Sequence, residues 1–72
     1  MKFKIGDRII DNMGKGRIIG PGEDDWDYSV EYDKNFNGHD CHGLGKQGHC
    51  FWVYERNIKL DKKANIWKGK KR

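Results

Sequence analysis

The chain has 72 residues, 35% hydrophobic and 36% charged, with a formal net charge of +4. A chain this short supports one small domain, burying only about 60% of the surface its unfolded form exposes. One alanine, two leucines and one glutamine against seven isoleucines and nine aromatic residues disfavour helix and favour strand.

Taken in chain order, the pattern predicts short strands separated by glycine and aspartate turns. Phe3 and Ile5 alternate with Lys2 and Lys4, and Gly6-Asp7 marks a turn or bulge before Arg8-Ile9-Ile10. Asp11-Asn12-Met13-Gly14 reads as a second turn leading into a strand over Lys15 to Ile19, which Gly20-Pro21-Gly22 stops. Glu23 to Asp27 form an acidic loop around Trp26, more consistent with a solvated loop than a calcium site because EF-hand spacing is missing. Tyr28, Val30 and Tyr32 alternate with Ser29 and Glu31, the signature of a half-buried strand. Cys50 to Tyr54 predicts an aromatic strand, Glu55-Arg56-Asn57 a single helical turn, and Ile58-Lys59-Leu60 a closing strand.

Five short strands predict an all-β protein that curls into one small barrel, since closure removes most exposed edges. The barrel is expected over residues 1–60, with a basic extension over 61–72. Residues 59–72 hold seven basic side chains against one acid, Asp61, a net of +6, while residues 1–58 carry a net of −2. The positive charge therefore sits mainly beyond the body, as a solvated tail or as one that Ile66 and Trp67 dock on the body or another subunit. The longest apolar run, Cys50 to Tyr54, is too short to span a bilayer, and the N-terminus has no signal-peptide core. We therefore expect no membrane contact, a cytoplasmic setting, and two free thiols at Cys41 and Cys50.

Residues 33–49 connect two strands through 17 residues, a length that in compact domains is usually functional or disordered. The stretch from Gly38 to Cys50 holds all three histidines, both cysteines and four glycines of the chain. Read as a metal site, the donors are His39, Cys41, His42, His49 and Cys50. Zinc needs four converging donors, but Cys-x-x-Cys spacing is missing and Cys41-His42 and His49-Cys50 are sequence neighbours that point apart in extended backbone, so no metal is expected. Read as an anion cradle, Gly43-Leu44-Gly45-Lys46-Gln47-Gly48 matches G-x-G-x-x-G, although it leads into a strand and not a helix. Its glycines would let backbone N–H groups turn toward one anion, with Lys46 adding a point charge. Catalysis is disfavoured: the chain has one serine and no threonine, and no nucleophile lies beside a base, so a non-enzyme is expected. Tyr28, Tyr32, Phe51 and Val53 are expected in the core, leaving Trp52 and Tyr54 on the opposite face to stack on a base or partner.

The opening Lys4-Ile5-Gly6-Asp7-Arg8-Ile9 and the close Tyr54-Glu55-Arg56-Asn57-Ile58-Lys59-Leu60 resemble the SH3-like small barrels, including the KOW and Mib-Herc2 groups. The run Gly38-His39-Asp40, then Gly43-x-Gly45-Lys46-x-Gly48-His49-Cys50 and Trp52-Val53-Tyr54, looks like a family of small phage-encoded SH3-like proteins. In that family the positions of Cys41 and His42 are often other residues, such as glycine and asparagine, a departure that removes two of the five possible metal donors. By analogy with phage barrels that trap nucleotide immune signals, the resemblance implies a non-enzymatic anti-defence protein in the host cytoplasm, sequestering a small phosphorylated nucleotide. The expected ligand residues are His39, Asp40, Gly43, Gly45, Lys46, His49, Trp52 and Tyr54, with Arg17 and Arg56 as secondary phosphate contacts. A homo-oligomer is expected to close the pocket, because a loop alone pays ordering entropy. The rival readings are a nucleic-acid-binding barrel using Trp52, Tyr54 and the tail, and a protein–protein inhibitor of a host enzyme.

Overall fold

A computed structural model describes residues 2–63, and among these described residues five strands and one short 3-10 turn build the fold. They are β1 (Arg8–Ile10), β2 (Lys15–Pro21), β3 (Tyr28–Tyr32), β4 (Cys50–Val53), the turn η1 (Glu55–Asn57) and β5 (Lys59–Leu60). All pairings are antiparallel, in one open sheet of order β4-β3-β2-β1-β5. The all-β class is as the sequence predicts, and the order of elements, with a 3-10 turn before the closing strand, is consistent with an SH3-like barrel. Ile66, Trp67 and the basic residues from Lys68 onward, expected as a tail that is solvated or docked, lie outside the described residues. Among the described residues no helix is long and apolar enough to cross a membrane.

Alternation decides which face of each strand is inside. Ile9, Ile18, Tyr28, Val30 and Tyr32 point inward and join Phe3 and Ile58 in the core, with Phe36, Phe51 and Val53 packed on its margin. Tyr32 anchors one end, its ring edge-on to Phe36 and Phe51 at 5.7 and 5.8 Å. Its hydroxyl donates to the Asp11 carboxylate in the β1–β2 turn. Burial, followed by the Asp11 contact, pushes the Tyr32 hydroxyl pKa up, so it stays protonated as a donor.

The N-terminal alternation does not make a strand. Phe3 is buried, but Ile5 is 71% exposed. Lys4 to Asp7 form a turn instead, closed by the Asp7 N–H on the Lys4 carbonyl and by the Lys4 N–H on the Asp7 carboxylate. Gly6, at φ 97°, allows the reversal that turns Ile5 away from the core.

Candidate functional site

The connection between β3 and β4 folds back over the outer face of the sheet. It is pinned at its base by His39, whose backbone pairs with Cys50 on the free side of β4 through bonds of 2.9 and 3.0 Å. From there the chain crosses to β3, burying Cys41, Cys50 and Ser29 beneath it to 1% exposure or less. Leu44 lies over Gly20, and Gly45 packs against the Cys50 sulfur and the Ile19 side chain. The outer face of β2–β3–β4 thus carries a small covered layer that the sequence alone does not announce.

Cys41, His42 and Gly43 all have left-handed backbone, at φ 51°, 57° and 89°. Such a conformation costs a non-glycine L-residue roughly 1–2 kcal/mol. Glycine and asparagine adopt it most cheaply. The turn is held by the Asp40 carbonyl, which accepts from Gly43 at 3.1 Å and Gly45 at 3.0 Å, and by the Cys41 carbonyl, which accepts from Leu44 at 3.3 Å. The Cys41 N–H donates to His39 Nδ1 at 2.9 Å.

These bonds correct the expectation of an open anion cradle. The N–H groups of Gly43, Leu44, Gly45 and Gly48 are all given to loop carbonyls, and that of Lys46 goes to Glu31 Oε2 at 2.9 Å. The anion in the turn is the protein's own carboxylate. The Lys46 N–H is the first cause holding the Glu31 pKa below the ordinary carboxylate value, against burial and helped by Arg17.

The expected ligand residues fall into two groups. Arg17, Lys46 and His49 line one cleft of about 310 Å³ with Arg8, Glu31, Tyr32 and Asp33. Arg17 and Glu31 are cross-strand partners, with a 3.1 Å ion pair. Arg8, opposite Arg17 on β1, grips Asp33 through two bonds of 3.0 and 2.7 Å. His49 Nδ1 donates to the Tyr32 carbonyl at 2.9 Å, which fixes the tautomer and leaves Nε2 as the free position. Three cations, Arg8, Arg17 and Lys46, face two carboxylates, Glu31 and Asp33, so the lining has a net positive formal charge. Arg8 was not among the expected residues; its signal is the hairpin itself, because Arg8 and Arg17 sit equally far from the Asp11–Gly14 turn.

The remaining expected residues lie elsewhere. Trp52 packs its ring against His39 at 4.4 Å and against the edge of His42 at 5.2 Å. Tyr54 stacks on Trp26 at 4.3 Å, and the Arg56 guanidinium covers the Tyr54 ring at 4.4 Å. His42 Nδ1 also approaches Glu23 at 3.5 Å, joining the acidic loop to the turn. None of His39, Asp40, Gly43, Gly45, Trp52, Tyr54 or Arg56 lines the cationic cleft. His39, Asp40, Gly43 and Gly45 shape the loop, so the single combined site expected from the sequence is divided. Among the described residues no three histidine, cysteine or acidic side chains converge as metal ligands.

The fold and cleft together describe a small β protein with a cationic surface site and no nucleophile–base pair among the lining residues. Comparison with protein families, with curated proteins and with solved structures yields no match.

Proposed function

We propose that the protein is a non-enzymatic binding module that takes up a small phosphorylated nucleotide at the Arg8–Arg17–Lys46–His49 cleft and holds it unconverted. The observation that supports this reading is the convergence of four cationic or hydrogen-bonding side chains from β1, β2 and the loop on one cleft. Its volume of about 310 Å³ is at the small end of ligand sites, enough for a phosphate and the sugar next to it. Arg17 is 54% exposed, so its surface pair with Glu31 contributes little and the guanidinium is available to a phosphate. Lys46 supplies a point charge without an ion-pair partner among the described residues, and His49 Nε2 a further polar contact. Absence of a nucleophile beside a base favours retention over conversion. The resemblance to small phage barrels extends the reading to an immune-signal nucleotide in a host cell, with a second subunit completing the pocket.

The test is calorimetry of the full chain with a panel of cyclic and ADP-ribose-type nucleotides, with inorganic phosphate as a control. Binding weakened in both Lys46→Ala and Arg17→Ala, with intact ligand recovered after heat denaturation, supports the proposal. No binding across the panel overturns it, and recovery of a cleaved product replaces it with an enzyme.

The stacked Trp26–Tyr54–Arg56 surface favours a second reading, a protein-binding module, because Trp26 is 37% exposed beside several carboxylates. A stable complex with a protein partner that Trp26→Ala abolishes, with no nucleotide bound, would support that alternative.

A further inference from the structure

The two cysteines of the chain, nine positions apart in sequence, meet beneath the loop. Both are free thiols, Cys50 at 0% exposure and Cys41 at 1%. Their side chains neighbour each other in this covered layer, close enough to influence one another's ionisation, and the Cys50 thiol donates to the Lys46 carbonyl at 3.5 Å. Cys50 is fixed in β4 by its pairing with Glu31 on one side and with His39 on the other. Cys41 belongs to the turn, in the left-handed conformation that aims its side chain into the sheet. Gly45 seals the layer: a Cβ there would come within 2.5 Å of the Cys50 sulfur. A costly backbone conformation that brings the only two thiols together calls for a reason beyond packing.

We propose that Cys41 and Cys50 form an internal disulfide, a redox latch that fixes the loop over residues 38–49 on the sheet. While the loop is closed, burial pushes both thiols up, Cys50 to about 12, so neither is a nucleophile. Reaction therefore begins when the turn lifts and Cys41 meets solvent. Cys41 loses its proton to water or buffer, and its thiolate attacks one sulfur of oxidised glutathione. The S–S bond of glutathione breaks, a Cys41–glutathione mixed disulfide forms, and one glutathione thiolate leaves and is protonated. While the turn is still lifted, Cys50 also loses its proton to water or buffer, and its thiolate attacks Cys41 Sγ. The Cys41–glutathione bond breaks, and the second glutathione leaves as a thiolate and is protonated before the turn closes over the new bond. Two protein thiols are oxidised and one glutathione disulfide is reduced to two thiols, so the step balances. The bond closes a loop of nine intervals, a modest restriction of the unfolded chain, since the entropy removed grows with loop length.

The experiment incubates the full-length protein with oxidised glutathione, before and after a cycle of denaturant unfolding and refolding, and reads intact mass and melting temperature. The expected product is about 2 Da lighter than the reduced chain and has no alkylatable thiol. Its melting temperature is raised by about 10 °C, and dithiothreitol reverses the change. Cys41→Ser and Cys50→Ser show no such rise and instead retain a thiol or carry one glutathione. A chain that takes up two glutathiones without an internal bond overturns the proposal. So does an internal bond that lowers the melting temperature, and so do two thiols left unreacted after the refolding cycle.

Discussion

The backbone N–H of Lys46 donates to Glu31 Oε2 at 2.9 Å, while Glu31 Oε1 accepts from Arg17 at 3.1 Å. One carboxylate on β3 thereby ties the tip of the loop to β2. A hydrogen bond to a charged group contributes about 1.5–3 kcal/mol, which applies to the Lys46 N–H, while the exposed Arg17 pair adds little; Glu31→Ala removes the acceptor of both. We expect Glu31→Ala to lose roughly 2 kcal/mol in urea unfolding, with faster hydrogen exchange at Lys46.

The same carboxylate gives the stability a pH dependence of defined sign. Its folded pKa lies below the unfolded value, with the Lys46 N–H as the largest cause. Its contribution is therefore fully present above the ordinary carboxylate pKa and is lost as pH falls through the folded value. Asp33, lowered chiefly by its bond to Arg8, acts in the same acid window. Comparing urea midpoints of the parent and Glu31→Gln from pH 6 down to pH 2 isolates the first group. The gap between the two proteins is expected to narrow steadily as pH drops, while a constant gap contradicts the linkage.

The glycines of the loop differ in what they tolerate. A Cβ on Gly38 would meet the Cys50 carbonyl at 2.4 Å, and one on Gly45 would meet the Cys50 sulfur at 2.5 Å and Ile19 at 2.8 Å. A Cβ on Gly43 would meet nothing within 4 Å, although its φ of +89° is unfavourable for alanine. Gly38→Ala and Gly45→Ala are each expected to cost about 2–3 kcal/mol, as overpacking does, and Gly43→Ala about 1 kcal/mol. Thermal melts of the three variants check the order.

Relief of strain is the opposite case. His42 holds a φ of 57° while its side chain is 67% exposed and its contact with Glu23 is a surface pair. Asparagine tolerates that conformation better, and an exposed pair contributes little. His42→Asn is expected to raise stability by about 0.5 kcal/mol despite the lost edge contact with Trp52, as read by denaturant midpoint.

What the sequence discloses and what it withholds divide along local and non-local physics. Tyr28-Ser29-Val30-Glu31-Tyr32 shows its inward face by alternation alone, and Asp11 to Gly14 shows its turn by residue type, so the strands were legible. Phe3 and Ile5 have the same alternation, yet the Gly6 reversal separates them, because a period of two over four residues cannot distinguish a strand from a turn that buries one aromatic ring. The loop misled in a different way. Its glycines do permit the turn, but the partners of its N–H groups are decided by Glu31, fifteen positions away from Lys46, and by carbonyls brought near through the His39–Cys50 pairing. Likewise Cys41 and Cys50 read as two isolated thiols until the left-handed turn at 41–43 folds one over the other.

The division of the expected ligand residues yields the sharpest functional test. Arg17, Lys46 and His49 share the cleft with Arg8, whereas Tyr54 and Arg56 form a separate stack with Trp26. A phosphorylated nucleotide held in the cleft draws on charge-assisted hydrogen bonds, which are stronger than neutral ones. Lys46→Ala and Arg17→Ala are each expected to weaken affinity about 10-fold or more, corresponding to one lost charge-assisted bond. Arg8→Ala is expected to do the same, with an added loss of stability because Asp33 loses both of its bonds to Arg8. Tyr54→Ala and Arg56→Ala are expected to leave affinity within about 2-fold, since neither side chain reaches the cleft. Calorimetry at two salt concentrations adds a second reading: a small ligand making two or three phosphate contacts should show a shallow salt dependence, against the steep one of a nucleic acid. If Tyr54→Ala and Arg56→Ala abolish binding while Lys46→Ala and Arg17→Ala do not, the ligand lies on the aromatic stack and the cleft is not the site.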